Sequence, residues 1–330
     1  MKLATYKDGS RDGQLVVVSR DLNTAHYATG MVNKLQQVLD DWNFISPQLQ
    51  DLYDALCSGK ARHAFAFDPK QCMAPLPRAY QRMGGCAYLN HDALLRQAGG
   101  VEVPKNGRAD PLMYQGCGDE LCGPYDDVAC ASEAYGIDFE AGLAVITGDV
   151  RVGASPAQAL DGIRLLMLSN EVTLRQLMAT ELAKGFGLVQ SKPSVAFSPV
   201  AVTLDELAVN RESAWDNGRV NLDLQSTWNG RKVGMCDAGA EMTFHFGQLI
   251  AHVCKTRHVR AGSIIGSGPV SNKDRSHGYS CIAEKRAIET IQDGKPLTEF
   301  MKYGDTIRIE MKGRDGKSLF SAIEQEIVPG

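Results

Sequence analysis

The first apolar run in the chain is Leu15-Val16-Val17-Val18. It reads as a strand, because the turn-prone stretches 7–10 and 11–13 precede it. Between Asn33 and Leu56 the spacing becomes helical: Leu35, Val38, Leu39 and Trp42, then Leu49, Leu52, Tyr53 and Leu56. Ser46-Pro47 interrupts that stretch and predicts two helices, with Ser46 capping the second and Pro47 at its first position. Three prolines, Pro69, Pro75 and Pro77, then fall within residues 67–78. They place a domain boundary near residue 75, giving an N-terminal unit over 1–75 and a larger one over 76–330.

Beyond that boundary the pattern is richer in strands. Gly142 to Gly148 is a short β-prone run ending in glycine. Pro156 to Thr173 reads as a helix and its exit. Ala201-Val202 and Val220 to Leu224 read as strands, and Trp228-Asn229-Gly230-Arg231 carries an Asn-Gly hairpin signal. Thr243 to Lys255 predicts a helix with Phe244, Phe246, Leu249, Ile250 and Val253 on its apolar face. Ser263 to Ile265 is a strand entering Gly266-Ser267-Gly268, and Thr306 to Met311 alternates as a strand does. There is no internal repeat and no βαβ rhythm, so the class is β-rich α+β.

Composition narrows the function classes. The chain has 330 residues, 44% of them hydrophobic, enough for a large core. Its net charge of -4 and pI near 6.0 argue against nucleic acid or a membrane surface as partner. No apolar stretch approaches membrane-spanning length, and the opening residues lack the apolar core of a secretory leader. Nine scattered cysteines fit free thiols in a reducing compartment, so a cytoplasmic location is expected.

Candidate chemistry is sparse when each feature is taken alone. Asp138 and Glu140 are two apart on a β-prone run, so they share a face and could share a metal; for an isolated pair a solvated strand edge is the commoner explanation. Glu171 and Arg175 have the spacing of a helical ion pair. Lys192, on a Pro-bounded loop, could bind an oxyanion, although surface solvation is the default. Gly266-Ser267-Gly268 could cradle an anion but lacks the third glycine of a dinucleotide fingerprint. His91 is a lone histidine, His245 and His252 are seven apart on one predicted helix, and Cys117, Cys122 and Cys130 do not have zinc-site spacing. Neither a G-x-S-x-G elbow nor a P-loop is present.

Taken in order, the motifs resemble the fumarylacetoacetate hydrolase family. Asp138 to Gly148 resembles its Glu-x-Glu entry into a strand, and Asn170 to Arg175 its Asn-Asp-x-Ser-x-Arg. Ser191 to Pro199 resembles its Gly-Lys-Ser…Ser-Pro. Gly262 to Gly268 resembles its Gly-Asp-x-Ile-x-x-Gly-Thr, and Tyr303 to Glu310 its closing Gly-Asp and strand. Order and spacing hold from about Tyr80 onward, and Pro111 to Gly116 resembles the Pro-x-x-Tyr-x-Gly of longer members.

The resemblance implies a small N-terminal SH3-like barrel before a β-roll catalytic domain, in a homodimer. It implies hydrolysis of a carbon–carbon bond in a β-diketo acid such as an acylpyruvate, as in aromatic-compound catabolism, with a small keto acid as ligand. It also implies Mg²⁺ or Ca²⁺ held by carboxylates. By position, His91 matches the general base and Glu284 its partner. Tyr114, Arg175, Lys192 (offset by one residue) and the Gly268 turn match the substrate and oxyanion group. Glu140 and Glu171 match metal ligands. Other metal positions depart: the second Glu falls on Gly142, an expected Asp on Gly84, and the Thr after Gly-x-Gly on Pro269. Weak or lost metal binding is therefore expected. The alternatives are proton transfer, isomerisation or decarboxylation of a keto acid without metal, or ligand binding without turnover. Residues selecting the substrate are expected between Tyr80 and Gly116.

Overall fold

The computed structural model describes residues 1–102, 109–209 and 212–330; part of the expected substrate-selecting stretch, residues 103–108, lies outside them. One large sheet runs through the molecule. Its strand order is Phe65–Ala66, Thr24–Tyr27, Gln14–Val18, Lys2–Tyr6, Val200–Val202, Ile163–Asn170, Ala141–Thr147, Ile264–Pro269, Arg82–Cys86 and Leu112–Gly116. Neighbours are antiparallel except Ile264–Pro269 and Arg82–Cys86, which run parallel. The segment expected as a small N-terminal barrel is thus a set of antiparallel strands continuous with this sheet, joined by pairing of Lys2 with Val202 and Ala4 with Val200.

Both faces of the sheet are covered, and the alternation of its strands sorts side chains between two cores. Leu3, Val17, Ile146, Leu165 and Met167 meet Leu35, Val38, Leu49 and Tyr53 from the helices Leu35–Asp40 and Trp42–Cys57. On the opposite face, Val16, Leu143, Val145, Leu166 and Leu168 meet Phe246, Leu249 and Ile250 of the helix Phe246–Cys254. A second sheet adds to this core. Its strands, in order, are Arg231–Asp237, Asp223–Trp228, Thr306–Lys312, Ser318–Pro329 and Val128–Cys130. Its hairpin turns at Asn229 and Gly230, both at positive φ as a two-residue turn of this kind requires.

Two sequence expectations are corrected. The predicted helix over Pro156 to Thr173 is a helix only at Pro156–Leu160; Ile163–Asn170 is a strand. A strand buried on both faces has a near-continuous apolar run, which periodicity does not separate from a buried helix. The helical break also falls at Asp41 rather than Ser46, and Pro47 lies inside the second helix. Proline there removes one bond, to the carbonyl of exposed Asn43, where water can substitute. Among the described residues no helix is long and apolar enough to cross a membrane.

The candidate site forms where three neighbouring strands end together. Asn170 pairs with Ala141, and Gly142 pairs with both Ser169 and Pro269. Two helices bring further residues to this end: Leu89–Ala98 carries His91 and Ile282–Asp293 carries Glu284.

Candidate active site

His91 Nδ1 lies 2.8 Å from Glu284 Oε1, and both side chains are buried. The carboxylate fixes the ring's orientation and leaves Nε2 as the nitrogen not engaged by Glu284. The helix bearing Glu284 is itself anchored from a distance. Asp138 accepts from the backbone N–H groups of Ile282 (2.6 Å) and Ala283 (3.0 Å) at its first turn. A carboxylate there satisfies otherwise unpaired donors and favours the positive end of the helix dipole.

Asp138 and Glu140 do share a side, and what they share is Arg175. Its Nε donates to Asp138 Oδ2 at 2.8 Å and its Nη2 to Glu140 Oε1. The expected helical pair of Arg175 with Glu171 therefore does not form; Arg175 opens the helix Arg175–Ala183, while Glu171 lies before it and turns elsewhere. Lys192 is buried rather than solvated, and its Nζ donates to Glu140 Oε2 at 2.7 Å. Thr173 Oγ1 donates to Glu140 Oε1 at 2.9 Å. Burial pushes the Glu140 carboxyl up, but Lys192 and Arg175 outweigh it and hold it down at about 2. For Asp138, burial prevails over Arg175 and the net direction is upward.

Glu171 faces the other wall. Tyr114 Oη donates to its Oε2 at 2.7 Å, Arg82 Nη1 lies 3.6 Å from its Oε1, and Lys192 Nζ lies 3.9 Å from its Oε2. Burial and the Glu171 charge push the Tyr114 phenol far up, which keeps it a donor. Arg82 also donates to Tyr114 Oη at 3.2 Å and stacks over its ring, and Lys192 Nζ lies 5.3 Å from the same ring centroid. Sequence reasoning missed Arg82. The available signal was its place two residues before Gly84, on the same face of one strand.

A floor of glycines makes this packing possible. In register across three strands lie Gly266, Gly84 and Tyr114. A Cβ on Gly266 would stand 2.6 Å from Glu171 Oε1, and one on Gly116 would meet the Arg82 guanidinium. The dyad and the charged cluster are linked through Cys281, which forms a β-bridge with Glu140 and places its Sγ 3.8 Å from His91 Nδ1.

Not every candidate joins the site. Gly268, at positive φ, sits at a strand irregularity against the backbones of Gly85 and Gly142. His252 faces Asp110 at 3.8 Å, and His245 precedes the same helix. Cys117, Cys122 and Cys130 are free thiols. A surface cleft of about 820 Å³ between Lys2, Arg20, Tyr53 and Glu206 has none of the dyad's residues in its lining.

The description Fumarylacetoacetase N-terminal domain 2 matches residues 1–78, and Fumarylacetoacetate (FAA) hydrolase C-terminal matches residues 84–327. The chain belongs to the fumarylacetoacetate hydrolase family. A fumarylacetoacetate hydrolase domain-containing protein 2 homolog of Dictyostelium discoideum is 24% identical over 234 residues, 69% of this chain and 67% of that protein. The fumarylacetoacetate hydrolase of psychrophilic Exiguobacterium antarcticum has the same fold, with TM-score 0.68, 17% identity and full coverage of both chains. So does maleylpyruvate hydrolase of Sphingobium sp. SYK-6 in complex with manganese (II) and pyruvate, with TM-score 0.63, 17% identity and full coverage of both. Hydrolases and isomerases both occur among the structures of this fold.

The family implies a divalent cation, and the residues between Glu140 and Glu171 do not fit one. Both Glu140 oxygens and one of Glu171 already accept hydrogen bonds. A Cβ on Gly142 would stand 2.4 Å from Gly268 O, and one on Gly84 2.1 Å from Tyr114 Cε1, so neither position has room for a carboxylate. His91, Cys281 and Glu284 form a second donor set, all within 4.8 Å. There His91 and Glu284 already bind each other, and Cys281 Sγ lies 3.8 Å from His91 Nδ1.

Proposed function

We propose that the protein hydrolyses a carbon–carbon bond in an acylpyruvate-type β-diketo acid. The observation that carries this reading is the buried His91–Glu284 pair beside the donors Lys192 and Tyr114. The fumarylacetoacetate hydrolase and the maleylpyruvate hydrolase that share this fold suggest the substrate class. Water gives a proton to His91 Nε2, and the hydroxide adds to the acyl carbonyl carbon. Lys192 Nζ, which keeps two hydrogens beyond the one given to Glu140, donates to the oxyanion as it forms, and Tyr114 Oη joins it by turning its single hydrogen from Glu171. Collapse breaks the bond to the methylene carbon, which takes back the proton from His91. The sum is R–CO–CH₂–CO–COO⁻ plus water giving R–COO⁻, pyruvate and one proton.

The test is release of pyruvate from acetylpyruvate, followed by coupled reduction to lactate. Pyruvate is expected with the wild-type protein and not with His91→Ala. Substrate conversion without pyruvate, or full activity in His91→Ala, overturns the reading.

A further inference from the structure

We propose that the Lys192 ammonium, with the Arg82 guanidinium behind it, replaces the family's divalent cation as the electrophile of this site. The inference deepens the hydrolytic reading and rests on it for the identity of the polarised carbonyl.

Charge balance is the first argument. Three buried acids, Asp138, Glu140 and Glu171, meet three cations, the buried Arg82 and Lys192 and the largely covered Arg175. A dication added to these six groups puts two uncompensated positive charges beside them at low dielectric, with Glu284 already committed to His91, and the nearest ammonium has no aqueous escape because Lys192 is 7% exposed. Placement is the second. Lys192 Nζ stands between the two glutamates that match metal ligands, 2.7 Å from one and 3.9 Å from the other. Arg82 occupies the wall beside Gly84, where the family pattern has an acid, and neutralises Glu171 from the far side. The third is steric: the Tyr114 ring packed on Gly84 and the Gly268 carbonyl against Gly142 fill the volume that carboxylates at those two positions need.

The ammonium is held for this role. Glu181 accepts from the backbone N–H groups of Val189, Gln190 and Ser191, and from Ser191 Oγ, immediately before Lys192. Ser191 O in turn accepts from Leu174 N at 2.9 Å, beside Arg175. The donor thus has a fixed base and three ammonium hydrogens, of which Glu140 takes one.

The experiment is a Mn²⁺ titration of EDTA-treated wild-type protein, read by the paramagnetic signal of free Mn²⁺ and by melting temperature. No stoichiometric binding up to 1 mM and no change in melting temperature are expected. Acetylpyruvate turnover is expected to be unchanged by EDTA, and to fall by about 100-fold or more in Lys192→Met, without rescue by Mn²⁺. Stoichiometric Mn²⁺ binding by the wild type, or EDTA-abolished turnover restored by Mn²⁺, overturns the inference and leaves the hydrolytic reading standing. Absence of any pyruvate release removes that reading, while the titration still decides whether the site takes a metal.

Discussion

The ring of Tyr114 occupies the space above Gly84, where a Cβ would stand 2.1 Å from its Cε1. Gly84→Asp, the change that restores the family's residue, therefore collides with the ring instead of completing a metal site. The expected result is destabilisation of about 1–3 kcal/mol from overpacking, read as a lower urea midpoint, with no gain in Mn²⁺ binding.

The dyad separates by its two members. His91→Ala removes the base and should lower kcat by about 10²–10⁴-fold. Glu284→Gln keeps a hydrogen-bonding group against Nδ1 but not its charge, so a smaller loss is expected. Steady-state kinetics on variants with wild-type circular dichroism check both, and equal losses would remove the orienting role of Glu284.

Asp138 acts at one remove, through Arg175 and the helix that carries Glu284. Asp138→Asn retains an acceptor but withdraws the buried charge opposite Arg175. We expect a loss of stability of several kcal/mol, as for a broken buried pair, and a fall in kcat with little change in KM. Wild-type kinetics in Asp138→Asn would show that the helix start needs no anchoring from this side.

Acid should loosen the loop that bears Lys192. Burial pushes the Glu181 carboxyl up, but bonds from Ser191, Gln190 and Val189 outweigh it and hold it at about 2, below its ordinary 4.5. Glu140 is held equally low by Lys192 and Arg175 against burial. A depressed carboxyl contributes stability above its unfolded value and loses it as pH falls toward the folded one. The stability contributed by these groups should therefore decline between about pH 4.5 and 2. Urea midpoints measured across that window should fall less steeply in Glu181→Gln than in the wild type.

Much of the fold was legible because motif order survives where single residues do not. The strand at Ala141–Thr147, the hairpin at Asn229-Gly230 and the strand Thr306–Lys312 all announce themselves by local pattern. Ile163–Asn170 does not, since a strand covered on both faces has no amphipathic period to detect. At the site, sequence position picked out His91, Glu284, Glu140, Glu171, Tyr114, Arg175 and Lys192, which the fold gathers. What it could not express was partner choice. Arg175 turns to Asp138 instead of Glu171 because Thr173-Leu174 pairs with Ile137-Asp138, a contact set by strand pairing. Arg82 carried no motif of its own, and its meaning depends on two glycines that lie across a strand from it and beside it.

The pairing of Lys2–Tyr6 with Val200–Val202 ties the first quarter of the chain to the large sheet. A fragment beginning after residue 78 would open the backbone of Val200–Val202 to solvent on one side and strip Leu165 and Met167 of their helical cover. Such an apolar, unpaired edge is a template for intermolecular association. Removal of this lobe is therefore expected to turn a paired strand into a sticky one, with association of the shortened chain as its mark.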